Sequence, residues 1–409
     1  MTVLDSFALL ISLAALLSYL NARYIRLPTV IGLMSISLCL SLLIVFLGRY
    51  EVDIRSPVAE LLKGIDFNTT LMQGMLSFLL FAGALHVDLD DLKGQKWVIL
   101  SLATFGVLIS TLLIGYSSYY LLQLLGMHMP LIYCLLFGAL ISPTDPIAVL
   151  GILKQAGAPR SLEIKIAGES LFNDGVGVVV FISLLELATG ETEFHATAIA
   201  GLFVQEAIGG IVFGLLTGYV VFQMLKRMDN YSVEILLTLA LVAGGYALAN
   251  ALHLSGPIAT VVAGLMIGNH GRSFAMSDKT REHLDTFWEL LDEVLNAVLF
   301  VLIGLEILVL AFPGATLLAA CLMIPVALLA RLVSVGIPIA VIRSLRQLSP
   351  HATKILTWGG LRGGISVALA LSIPAGPERE LILSMTYVVV VFSILVQGLT
   401  IGRLIRLTR

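Results

Sequence analysis

Apolar runs of about 20 residues, the length a helix needs to cross a hydrocarbon core about 30 Å thick, follow one another along this sequence with short polar connections between them. Backbone N–H and C=O groups find no water in hydrocarbon, so each run has to be helical. Only 12% of the residues are charged, against about 25% in soluble domains. The sequence therefore predicts an all-α polytopic membrane protein. About 13 transmembrane helices are expected, at 3–22, 28–48, 68–87, 97–124, 128–153, 163–188, 197–225, 231–251, 255–268, 284–311, 314–342, 352–374 and 379–402. These runs use most of the 409 residues and leave no room for a catalytic soluble domain.

A net charge of -3 gives no basic face for nucleic acid, and no GxxxxGK[ST] loop is present to couple ATP. Transport would run on ion gradients, with no cofactor. Cys39, Cys134 and Cys321 sit inside apolar runs and read as small packing residues, not as disulfides. The first ten residues carry no basic segment ahead of their apolar stretch, so residues 3–22 are expected to be a retained span. With this span count, Arg49, Arg55, Lys63 and Arg379 are the loop cations on one side, and the other loop Lys and Arg residues fall on the opposite side. The positive-inside rule then puts the C-terminus in the cytoplasm and the N-terminus outside. Arg331 and Arg362 remain within spans, where a cation needs a reason to be.

Two spans carry material that breaks a helix. In the fifth, Ser142-Pro143-Thr144-Asp145-Pro146 removes two backbone donors around an acid. In the twelfth, Gly359-Gly360-Leu361-Arg362-Gly363-Gly364 packs four glycines around a cation. Broken backbone at membrane depth has to be buried in protein or line a polar cavity. Spans five and twelve are related as they would be if spans 1 to 6 and 8 to 13 were two inverted six-helix repeats joined by the seventh.

The sixth span contains Glu169-Ser170-Leu171-Phe172-Asn173-Asp174. Glu169 and Asn173 share a helix face, and Ser170 and Asp174 share the adjoining strip. Carboxylate and hydroxyl oxygens are the donors that a hard cation takes. An ionised acid in a desolvated cavity is costly, and either a proton or a monovalent cation neutralises it. The two compete, and a site that crosses the bilayer only when neutralised exchanges one for the other. One cation against one proton predicts electroneutral exchange.

The Thr144-Asp145-Pro146 break, the Asn173-Asp174 pair following Glu169-Ser170, and the Gly359 to Gly364 break resemble those of the monovalent cation/proton antiporters, in the NhaP-type sodium/proton exchanger branch. The resemblance covers essentially the whole chain. It implies crossed, unwound helices in a core beside a dimerisation domain, working as an elevator-like homodimer. It divides the chain into residues 1–96 (dimerisation-domain helices 1 to 3), 97–188 (core helices 4 to 6), 189–311 (linker helix 7 and dimerisation-side helices 8 to 10) and 312–409 (core helices 11 to 13 and a short tail). Asp145 and Asp174 become the cation and proton carboxylates, with Thr144 and Ser170 as further oxygen ligands to sodium. Asn173, counted with them among the cation- and proton-binding residues, stands where electrogenic relatives have a second aspartate. Glu169 is expected to pair with Arg362. Some members have a glutamate where Ala82 stands, which leaves the ligand count and the choice of sodium over potassium open. The implied setting is the cytoplasmic membrane of a prokaryote, since only a short basic end follows Leu399. A potassium/proton antiporter of the same fold is the alternative, and a cation channel a more distant one.

Other polar residues admit plainer readings. Glu289, Asp292, Glu293 and Asn296 trace one stripe of the tenth span, either the lining of a cation-attracting funnel or the solvated entry turn of a long helix. Gly210, Gly214 and Gly218 form a small-residue face suited to close packing. Trp97 and Trp288 begin spans as interfacial aromatics do, and Glu234 reads as interfacial.

Overall fold

The computed structural model describes residues 3–47, 74–190, 196–272, 275–308, 310, 314–343 and 351–407. Arg49, Arg55, Lys63, Arg346 and Arg409, used in the charge count above, lie outside the described residues. The described chain folds into α1 (Val3–Leu20), α2 (Thr29–Leu47), α3 (Leu76–Leu85), α4 (Leu89–Leu124), α5 (Leu131–Ile141), α6 (Ile147–Ala156), α7 (Arg160–Thr189), α8 (Ala196–Leu225), α9 (Tyr231–Ala251), α10 (Gly256–Met266), α11 (Asp278–Glu306), α12 (Gly314–Arg343), α13 (Ala352–Trp358), α14 (Gly364–Ser372) and α15 (Pro377–Leu407). Eight of these, α1, α2, α4, α7, α8, α9, α12 and α15, are individually long and apolar enough to cross a membrane. The pairs α5 with α6 and α13 with α14 are the two halves of spans five and twelve, interrupted where the prolines and glycines stand. Among the described residues there is no sheet, only one isolated bridge between the two interruptions.

Local chemistry sets the helix ends. Asp88 caps α4 by accepting from the N–H groups of Asp90 and Asp91, Ser255 caps α10 ahead of Pro257, and Ser277 caps α11 through the Thr280 N–H. Gly190 closes α7 in the left-handed conformation, with φ 77°.

Packing falls along two sets of helices. One set has α4 against α5, α7 and α12, α12 against α13 and α15, and α15 against α6 and α14. In the other, α8 and α9 lie on α10, α10 on α3, and α11 on α2 and α3. The Gly210, Gly214 and Gly218 face is the α8 surface that meets α10: a methyl on Gly210 would stand 2.8 Å from the Ser255 carbonyl oxygen, and Gly214 faces the Ala259 backbone. This is the packing role its spacing suggested.

Two interfacial expectations are corrected. Trp288 is fully buried, stacked with Phe78 and in tilted contact with Phe81, and its indole Nε1 donates to Thr238 Oγ1 at 3.1 Å. It sits nearly three helical turns into α11, on the face that α3 and α9 cover. Glu234 is also buried. Its carboxylate accepts from the Asn230 N–H at 3.1 Å and the Thr280 hydroxyl at 3.3 Å, tying the start of α9 to α11.

Candidate functional site

The two helix interruptions cross. The Asp145 N–H donates to the Leu361 carbonyl at 2.8 Å, which makes an antiparallel bridge of a kind foreign to a helical protein. Pro146 and Pro143 stop the chain from remaining helical here, and the freed amide of Asp145 takes the carbonyl that the glycine-rich break leaves without a helical partner. Small residues make the approach feasible. A methyl on Gly363 would overlap the Asp145 carboxylate, and one on Gly177 of α7 would overlap the Pro143 ring.

Each arginine within a span meets the C-terminal end of a half-helix. Arg362 is 3% exposed, and its guanidinium donates to the carbonyls of Ser142 at 2.6 Å and Pro143 at 3.0 Å, just past the end of α5. Arg331 of α12 donates to the Leu356 carbonyl in the last turn of α13 at 3.2 Å. Helix C-termini carry partial negative charge and unsatisfied carbonyls, so a cation placed there answers both. This gives the physical reason for a correction. The expected pair of Glu169 with Arg362 is not formed; Arg331 reaches Glu169 instead, at 2.5 Å, in a pair that is buried on both sides. The Arg362 Nη1 is already committed to the Ser142 and Pro143 carbonyls.

The backbone of Arg362 is held as well. Its N–H donates to Ser393 Oγ at 2.9 Å, Ser393 donates to Gln397 Oε1 at 2.7 Å, and Gln397 Nε2 donates to the Trp358 carbonyl at 3.0 Å. Ser393–Gln397 is a π-helical turn inside α15, and the widened turn presents both side chains to the break. The sequence carried a signal for Arg331, a cation in an apolar run, but nothing local to name its partner. For Ser393 and Gln397 it carried none beyond polarity within a span.

Thr144, Ser170, Asn173 and Asp174 come together beside the crossing. Asn173 Nδ2 donates to Thr144 Oγ1 at 2.9 Å, and Asn173 Oδ1 accepts from the Thr144 N–H at 3.3 Å. Thr144 Oγ1 and Ser170 Oγ are 3.1 Å apart. The Asn173 amide thus braces the break against α7. Thr144, Ser170, Asn173 and Asp174 are all buried and Asp145 is half-buried, with Asp145 near enough for its charge to act on Asp174. Two carboxylates and two hydroxyls thus lie in the region where the four half-helix ends meet. Carboxylate and hydroxyl oxygens are the donor types that a small hard cation takes.

Ala82 of α3 packs in an apolar cluster with Phe81, Leu85 and Trp288, so the third span adds no charge. The acidic stripe of α11 grades inward: Glu289 and Glu293 are exposed, Asp292 is half-buried, and Asn296 is buried with Nδ2 donating to the Asp292 carbonyl at 2.9 Å. Asp145 also acts electrostatically on Asp292.

The family sequence model described as "Sodium/hydrogen exchanger, transmembrane" matches residues 10–407. The chain is 57% identical to the Na(+)/H(+) antiporter NhaP of Pseudomonas aeruginosa over 99% of this chain and 96% of that one. It is 37% identical to the Na(+)/H(+) antiporter NhaH of Halobacillus dabanensis over 90% of this chain and 91% of the relative. Its fold is similar to that of the sodium proton antiporter MjNhaP1 from Methanocaldococcus jannaschii, with a TM-score of 0.76 at 20% identity, over 99% of each chain.

Proposed function

Because this chain belongs to the sodium/hydrogen exchanger family, we propose that it exchanges a monovalent cation, sodium by analogy with the named relatives, for a proton, one for one. The observation that carries the reading is the placing of Asp145, at the crossing of the two breaks, within charge range of Asp174 and adjoining Thr144, whose hydroxyl lies 3.1 Å from that of Ser170.

Asp145 and Asp174 take the ion or the proton in competition, with Thr144 and Ser170 as further oxygen ligands. Asn173 is a brace and carries no charge, so an ion entering as a proton leaves changes nothing in the charge of the site. That is electroneutral exchange. Arg331 and Arg362 neutralise half-helix ends that would otherwise compete for the cation. Access alternates in an elevator manner, with α4 to α7 and α12 to α15 moving as one body against α1 to α3 and α8 to α11; the two packing sets support that division. The second set forms the face of a homodimer. The protein is a multi-pass membrane protein, and we place it in the cytoplasmic membrane of a prokaryote, with its N-terminus outside and its C-terminus in the cytoplasm.

The test follows internal pH in liposomes holding the purified protein or its Asp174→Asn variant as sodium, then potassium, is added outside. The expected result is a cation-driven pH change that clamping the voltage leaves unaltered and the variant lacks. Equal activity in the variant overturns the competing-carboxylate mechanism, and current without proton movement overturns exchange in favour of a channel.

A further inference from the structure

The outer face of the α12, α13 and α15 group carries a groove of about 490 Å³, lined by Leu332, Lys354, Trp358, Thr400, Arg403 and Leu404. Its walls are largely apolar, and Leu332 and Leu407 at its edges are exposed. Among the described residues neither Lys354 nor Arg403 forms an ion pair, and both are exposed. Both cations stand at the same end of the helix group as the C-terminal turn of α15, the end to which the loop cations segregate.

An apolar groove on a membrane-facing surface is filled by acyl chains, and two unpaired cations at its mouth select the headgroup. A zwitterionic headgroup brings its own cation and gains little from them, whereas a net anionic phosphodiester gains from both. The groove also adjoins the transport machinery. Its floor is tied together by Trp358 Nε1 donating to Thr400 Oγ1 at 2.9 Å, which joins α13 to α15. Thr357 lines both this groove and a small internal cavity bounded by Arg331, Gly360 and Arg362.

We propose that this groove binds one anionic glycerophospholipid from the leaflet on the cation-rich side, its phosphate between Lys354 and Arg403 and its chains along Leu332 and Leu404. The bound lipid steadies α13, the seven-residue half-helix ahead of the break, and so raises the transport rate. The effect on rate rests on the exchange function proposed above; the binding does not.

The test titrates purified protein with phosphatidylglycerol and reads retained lipid by native mass spectrometry. Each basic side chain near an anionic lipid is worth about fivefold in affinity, so a K354Q/R403Q variant is expected to bind roughly 30-fold more weakly. Each single variant should lose about fivefold, which keeps the test available if the double variant fails to fold. K226Q/R227Q, just past the end of α8 and not among the residues that line the groove, is expected to bind as the native protein does. Equal retention by K354Q/R403Q, equal retention of phosphatidylcholine, or equal loss in K226Q/R227Q overturns the site. Glycerol phosphate binding as tightly as the lipid overturns it too, since the ligand is then a free phosphate. In liposomes, adding phosphatidylglycerol to neutral lipid should raise native exchange severalfold and leave K354Q/R403Q at the unstimulated rate. Binding without that rise removes the effect on transport, and absence of exchange in every lipid, with binding intact, removes the exchange function instead.

Discussion

Glu169 of α7 and Arg331 of α12, 162 residues apart in the chain, form a buried ion pair at 2.5 Å, and Arg331 also holds the Leu356 carbonyl at the end of α13. One side chain therefore joins an intact span to a broken one. Removing one partner of a buried pair leaves the other uncompensated, at about 3–5 kcal/mol. Glu169→Gln and Arg331→Met are each expected to lower stability on that scale in chemical denaturation, and the double variant to lose much less than their sum. Glu169→Gln and Arg362→Met should be close to additive. Strong coupling in the second cycle, and none in the first, would show that the pairing is drawn wrongly.

Arg362 answers carbonyls, not a carboxylate. A hydrogen bond from a charged donor contributes about 1.5–3 kcal/mol. Arg362→Met is expected to lose both stability and exchange, while Arg362→Lys, which keeps a cationic donor, retains a measurable part of each. Thermal denaturation and liposome exchange, run on both variants, decide it; equal damage in the two would refute the carbonyl role.

Gly363 has no room for a methyl beside the Asp145 carboxylate, whereas Gly151 on α6 faces open space. Gly363→Ala is expected to abolish or severely reduce exchange in folded protein. Gly151→Ala should leave exchange intact and favour its helix by up to about 1 kcal/mol. Normal sodium-driven proton release from Gly363→Ala liposomes would contradict the site as placed.

Asn173 donates one hydrogen bond to Thr144 and accepts another from it, and carries no charge. Asn173→Ala removes the brace on a proposed ligand. Two neutral bonds at about 1 kcal/mol each predict a rise in sodium half-saturation of roughly 10- to 30-fold, with exchange still electroneutral. A large fall in maximal rate at unchanged half-saturation would mean that Asn173 serves a different step.

Competition for the carboxylates fixes a sign with pH. Protons displace the cation, so sodium half-saturation rises as pH falls, by up to about tenfold per pH unit where one proton competes. Exchange rates measured over a grid of pH and sodium test this, and a half-saturation independent of pH would exclude a shared site.

Much of this architecture was legible because hydrocarbon is an intolerant solvent. It forces each apolar run to be helical, so the spans and the two breaks could be read directly from residues 142–146 and 359–364. Helical spacing put Ser170, Asn173 and Asp174 on adjoining strips of one helix, while Thr144 was joined to them only through the family resemblance. Partner choice was not legible. Arg331 and Arg362 are the same residue type in neighbouring spans, and which one faces Glu169 depends on the rotation of α12 and on carbonyls set free by Pro143 and Pro146. Trp288 was misplaced for a related reason: sequence position near a span's start says nothing of which face a neighbouring helix covers.

The bridge from Asp145 to Leu361, with Arg362 reaching carbonyls 220 residues earlier in sequence, makes the two interruptions a single unit of inheritance. A substitution that restores regular helix to residues 359–363 withdraws the acceptor from residue 145 and the cation from residues 142 and 143 together. Neither segment can drift alone, and changes in one should be tolerated only in company with changes in the other.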